Sequence, residues 1–171
     1  MRRIAVLIGS NSDLPQCKEG LEFLQSMKDK GEVEVEVITA SIHRNTDFVL
    51  DFLKETNNRI DVLIAGAGMA NHLTGVCDAY LRYNLKNTGT IVVGVAFGSN
   101  NPEDVWAAKL SITRVPGTQV VFNDYVGEEG FLRACVFAAF NPLPKITLKK
   151  PKPTQSRTLN EAIFEAEKKG V

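Results

Sequence analysis

The sequence predicts an α/β fold, a three-layer α/β/α sandwich with a central parallel sheet. Three observations lead there. Five short runs rich in β-branched residues recur along the chain, each followed by small or polar turn residues and then by apolar residues at helical spacing. The most apolar runs show no alternation, so both faces of those strands are expected to be buried, as in a parallel sheet. The chain has 171 residues, 44% hydrophobic and 23% charged, enough for one domain with one substantial core.

Residues 4–8, an unbroken apolar run, read as a central strand. Gly9-Ser10-Asn11-Ser12-Asp13 follows, where glycine permits a sharp turn and Ser12 or Asp13 can cap the next helix. Pro15 suits that helix's first turn, and Leu21, Leu24 and Met27 give it an apolar stripe ending near Gly31. Hydroxyls and free N–H groups here suit a phosphate; an ordinary N-cap cluster is the alternative. The turn is neither a Walker loop nor a GxGxxG dinucleotide turn.

Residues 33–37 alternate valine and glutamate, as expected of a strand near a sheet edge with one solvated face. Ser41-Ile42-His43-Arg44 comes next, and a helix from about Thr46 is expected to bury Phe48, Phe52 and Leu53. Arg44 offers a bidentate fork for phosphate, Ser41 a hydroxyl, and His43 an imidazole that titrates near neutrality. A surface His-Arg pair at a helix start is the alternative.

The third strand, residues 60–64, breaks into Ala65-Gly66-Ala67-Gly68-Met69-Ala70-Asn71-His72. Small residues there let backbone approach a ligand closely, at the strand end where open α/β sheets bind ligands. Otherwise the glycines serve strand–helix packing and His72 caps a helix. Val76, Ala79, Tyr80 and Tyr83 supply that helix's expected apolar face. A fourth strand, 90–95, leads through Gly98-Ser99-Asn100-Asn101-Pro102 to a helix over 103–110, with Val105 and Trp106 expected as core anchors. Residues 111–117 read as a loop, 118–122 as a fifth strand, and 128–140 as a helix.

The texture then changes, dividing the chain into an α/β domain over 1–141 and an appendage over 142–171. Pro142, Pro144, Pro151 and Pro153 with four lysines form an extended arm. A last helix over about 158–169 carries Leu159, Ala162, Ile163 and Ala166 as a stripe, expected to dock on the body or on a neighbouring subunit. The whole reads as a flavodoxin/Rossmann-like sheet.

Lysine plus arginine equals aspartate plus glutamate at 20 each, so no basic field points to nucleic acid. No apolar run is long enough to cross a bilayer, and no signal peptide is evident, so a soluble cytoplasmic protein is expected. Cys17, Cys77 and Cys135 lack metal-ligand spacing and read as small buried residues. Both histidines follow strands, and Ser10, Ser12, Asp13, Ser41, Arg44 and the 66–75 turn share one sheet edge. That pattern implies proton transfer on a phosphorylated small molecule, without metal or redox cofactor.

These turns, with Pro116-Gly117 after Ser111-Ile112, resemble in order and spacing the signature loops of the PurE-type aminoimidazole ribonucleotide carboxylase family. The resemblance runs from residue 3 to about 140. It implies carboxylation at C4 of 5-aminoimidazole ribonucleotide in de novo purine synthesis, from the N5-carboxylated nucleotide (mutase) or from carbon dioxide (carboxylase). It also implies a homo-oligomer, an octamer in this family, with sites at subunit junctions. Carried across, Ser10, Ser12, Ser41 and Arg44 hold the phosphate and Asp13 the ribose side. His43 is the principal acid/base, with His72 in orientation or proton shuttling. Gly66, Ala67, Gly68 and Leu73 belong to the turn that shelters carbon dioxide. Met69, Asn71 and Thr74 stand where the mutase branch has Gly, Ala and Pro, and Ile42 replaces an Ala; Arg44 and His72 are similar to that branch. The departures leave room for a binding paralogue without catalysis, or for another phosphorylated heterocycle as substrate.

Overall fold

Five parallel strands build the sheet: β1 (Arg2–Ile8), β2 (Val33–Thr39), β3 (Val62–Ala67), β4 (Ile91–Ala96) and β5 (Val120–Val121), in the order β2-β1-β3-β4-β5. This is a computed structural model, and it describes residues 1–168. The three apolar runs without alternation became the three central strands, each buried on both faces, whereas the alternating run became the β2 edge. At that edge Val33 is buried but Val37 is exposed.

The helices are α1 (Lys18–Asp29), α2 (Thr46–Glu55), α3 (His72–Ala79), α4 (Pro102–Thr113), α5 (Gly127–Phe140) and α6 (Leu159–Lys168). On one face, Leu24 and Met27 of α1 and Phe131, Ala134 and Cys135 of α5 pack over Ile4, Val6, Ile64 and Val93. On the other, Val49, Phe52 and Leu53 of α2 with Leu73 and Cys77 of α3 pack over Ala5, Leu7 and Leu63. Ala108 and Ile112 of α4 close the sheet beyond Ala96. These are the three layers.

Several local expectations gave way. Pro15 sits in a 3-10 turn, Asn11–Cys17, and α1 starts only at Lys18; the cap is Ser10, whose hydroxyl accepts from the Ser12 N–H at 3.3 Å. Phe48 is exposed and Val49 takes its place in the core. On α3 and the π-helical turn after it, Tyr80–Asn84, the buried side is Leu73, Cys77, Asp78, Leu81 and Arg82. Val76 and Tyr83 point outward. Trp106 is 61% exposed, because α4 meets the sheet through Ala108 and Ile112, and two residues of helix turn a side chain through about 200°. That helix runs to Thr113, three residues past its expected end, and β5 shrinks to Val120–Val121.

Leu143 and Ile146 of the arm pack against the α1/α5 side of the core, and the Arg2 guanidinium donates to the carbonyls of Ala138 and Asn141 at 2.9 and 2.8 Å. The remaining arm is extended. No residue of α6 is buried. The expected end of this helix at Lys169 lies outside the described residues. No helix is long and apolar enough to cross a membrane among the described residues. All three cysteines are free and buried. Burial pushes the Cys17 and Cys77 thiols up to about 12, the opposite of what a reactive thiolate needs.

Candidate active site

The strand order reverses between β1 and β3, and a crevice opens beyond their carboxyl ends, where such sheets bind ligands. Short backbone bonds lock the three turns around it. The Gly9 N–H donates to the Gly66 carbonyl at 2.9 Å, joining the first turn to the third, and the Ala40 N–H donates to Ile8 at 2.9 Å, joining the second to the first. The cleft they enclose has a volume of about 530 Å³.

Ser10, Ser12 and Asp13 come from the first turn, Ser41, His43 and Arg44 from the second, and Ala67, Gly68, His72 and Leu73 from the third; all line the cleft. The Ser10 and Ser12 hydroxyls lie 2.7 Å apart. Arg44 is exposed, and among the described residues no carboxylate pairs with it. One end of the cleft therefore offers hydroxyls and a free guanidinium, the donors an anionic group such as phosphate takes. Burial raises the Asp13 carboxyl above the ordinary carboxylate range, and a bond from the Gly68 backbone opposes that rise.

The two imidazoles meet in this cleft. His43 Nε2 lies 2.9 Å from His72 Nδ1, with ring planes inclined by 70°. One nitrogen must donate and the other accept, so a contact this short holds one proton between two rings and cannot carry two N–H groups facing each other. The two imidazoles are thereby joined by a single hydrogen bond across the cleft. Among the described residues, no cluster of His, Cys, Asp or Glu is arranged to hold a metal ion.

Gly66 is the predicted site residue that stays off the cleft wall. It is buried in β3, and a Cβ there would lie 2.6 Å from the Phe97 ring, so its smallness serves core packing. Pro116 and Gly117 also lie elsewhere. Residue 118 beyond them is tied to α3, through the Thr118 N–H donating to Asp78 at 2.7 Å. Residue Gln16 had no signal in the sequence: it brackets Gly98, accepting from its N–H at 2.7 Å and donating to its carbonyl at 3.2 Å.

Asn71, not His72, caps α3. Its side-chain carbonyl accepts from the Thr74 N–H at 3.1 Å while its amide donates to the Val95 carbonyl at 2.8 Å. The Thr74 hydroxyl in turn donates to the Ala65 carbonyl at 2.8 Å. This buried network pins the third turn to β3 and β4 and so aims His72. Asn71→Ala strips the Val95 carbonyl of this partner and removes the cap. Urea denaturation is expected to show a loss of about 1–3 kcal/mol.

The family model described as "AIR carboxylase" matches residues 3–141. An N5-carboxyaminoimidazole ribonucleotide mutase of Saccharolobus solfataricus is 32% identical over 117 residues, 68% of this chain and 66% of that protein. A protein of the same name from Aliivibrio fischeri is 32% identical over 138 residues, 80% of this chain and 78% of that one. The crystal structure of Treponema denticola PurE superposes with a TM-score of 0.55 over 81% of each chain at 23% identity, which supports the fold. With a family model matched over all five strands and relatives above 30% identity, this chain belongs to the AIR carboxylase family.

Proposed function

We propose that this chain is an N5-carboxyaminoimidazole ribonucleotide mutase of purine synthesis, moving a carboxylate from N5 to C4 of the aminoimidazole ring. The observation that carries this reading is the single cleft that joins an unpaired guanidinium and serine hydroxyls to a hydrogen-bonded histidine pair. The names of the relatives supply the substrate.

In this reading Arg44, Ser10, Ser12 and Ser41 hold the phosphate, and Asp13 the ribose side. The N5–carboxylate bond breaks to release carbon dioxide, and the electron pair stays on N5, the exocyclic amino nitrogen, which takes up a proton. The nucleophilic C4 then attacks the carbon dioxide, forming the new C–C bond. His43 takes the proton that C4 loses and returns a proton to N5, so no net proton is consumed. His72, at 2.9 Å, fixes the tautomer of His43 and can pass its proton on. Ala67, Gly68 and Leu73 enclose the carbon dioxide between steps, where excluded water cannot hydrate it.

Incubating the protein with the N5-carboxylated nucleotide, and separately with 5-aminoimidazole ribonucleotide plus bicarbonate, and following C4 carboxylation tests the reading. Conversion of the N5 form supports the mutase. Product only from bicarbonate makes the protein a direct carboxylase, and calorimetric binding without either product makes it a binding paralogue.

The working form in this proposal is a cytoplasmic homo-octamer. Trp106, Phe48 and Tyr83 on the body and Leu159, Ile163 and Phe164 on α6 are exposed and offer apolar contacts to neighbouring subunits. The α6 stripe is expected to seat on a neighbouring subunit, reached by the extended arm. Sedimentation should then give a species of eight chains, and a chain ending at Lys150 should sediment as a smaller one.

A further inference from the structure

Met69 is the oddest residue of the cleft. Its backbone has φ of 51°, in the left-handed region that side chains with a Cβ rarely adopt. Such strain costs about 1–3 kcal/mol and concentrates at sites where function holds it in place. Its sequence neighbours, Gly68 and Ala70, are small, and the residue is 68% exposed although it lines the cleft. Ile42 and Leu73, the other large apolar residues of the wall, are buried. Met69 is thus an unbranched apolar arm at the mouth of the cleft with little of its own to pack against. Its thioether has three rotatable bonds beyond Cα and favours aromatic rings.

We infer that Met69 is the cover of the cleft: its side chain folds over the bound heterocycle and sets how tightly and how selectively the ring is held. A flat, uncharged five-membered ring suits this cover, because Met69 lines the same cleft as His43 and His72 and a flexible thioether packs well against an aromatic face. This inference rests on the nucleotide reading above. It goes beyond that reading in naming a residue outside the acid/base and phosphate sets as the one that governs ring affinity.

Peroxide footprinting and kinetics test it together. Dilute hydrogen peroxide transfers one oxygen to an accessible thioether and leaves water. In the free protein Met69 should oxidise readily, alongside exposed Met1 and well ahead of buried Met27. Saturating 5-aminoimidazole ribonucleotide should slow oxidation of Met69 alone. Met69→Ala should raise KM for the nucleotide by about ten- to a hundredfold, with the larger part of the loss in KM rather than kcat. Met69→Gly should do the same while melting no lower than Met69→Ala, since glycine carries no left-handed penalty, and this guards against reading misfolding as lost affinity. If the wild-type protein turns the nucleotide over while both variants keep KM within about twofold, or Met69 oxidises equally fast with ligand bound, the cover does not exist. If the wild-type protein neither binds nor converts the nucleotide, the substrate reading falls and the cover falls with it.

Discussion

His43→Asn is expected to lower turnover by about 10²–10⁴ while the protein stays folded and still binds its nucleotide. The size follows from what a positioned acid/base contributes to a proton transfer at carbon. Asparagine keeps some polarity but has no group that titrates near neutrality, and its shorter side chain ends well before the position of Nε2. Little else is lost, because His43 is exposed and its one hydrogen-bonding partner among the described residues is His72 at 2.9 Å. Surface changes of this kind usually alter stability by no more than about 0.5 kcal/mol. In the proposed reading the phosphate is held by Arg44 and the serines on the neighbouring turns, so the dissociation constant measured by calorimetry should move only slightly. Turnover at the wild-type rate would remove His43 from the mechanism. A lost affinity with preserved kcat would instead make it a binding residue.

The second large effect lies outside the cleft, in the Asp78–Arg82 pair. Both side chains are sealed from solvent, at 2% and 1% exposure, and the Arg82 Nη2 lies 3.1 Å from Asp78 Oδ1. Three further contacts hold the guanidinium. Nε donates to the Thr118 hydroxyl, Nη1 to the Asn87 carbonyl and Nη2 to the Thr90 carbonyl, each at 2.8 Å. Asp78 accepts from both the N–H and the hydroxyl of Thr118 at 2.7 Å. One pair thus ties α3 and the π-helical turn to the segments that lead into β4 and β5. Burial pulls the Arg82 pKa down and the Asp78 charge opposes it, yet a guanidinium stays charged throughout the accessible range.

Arg82→Leu therefore strands a buried carboxylate and frees two buried carbonyls, and should cost about 3–5 kcal/mol in urea denaturation. Against a total stability of about 5–15 kcal/mol, that is enough to leave much of the protein unfolded at elevated temperature. The double variant Asp78→Leu/Arg82→Leu should recover part of the loss, because replacing both charges removes the stranded one. A single-variant loss under about 1 kcal/mol would show that water reaches the pair and solvates it.

The fold class was legible in the sequence because its signals are local. A run of β-branched residues without alternation can be stable only where both faces are covered, and this identified the β1, β3 and β4 segments. The turn chemistry of Gly9 to Asp13 and of Ala65 to Gly68 marked the strand ends beyond which a ligand can sit. Those signals, with the family resemblance, placed most of the cleft residues.

The tertiary structure decided whatever depends on residues far apart in the chain. That His43 touches His72, 29 positions away, follows from β3 lying beside β1 with β2 on its other side, an order no local pattern encodes. Helical spacing alone fits more than one face. On α3 it favoured Val76 and Tyr83, while packing on the sheet chose Leu73, Cys77 and the charged pair Asp78–Arg82, whose burial becomes tolerable only once Thr118, Asn87 and Thr90 arrive to satisfy it. The left-handed backbone of Met69 is of the same kind, since a neighbourhood of folded strands, not the residue's own preference, holds it there. Periodicity is a property of neighbours in sequence, and burial and pairing are properties of neighbours in space.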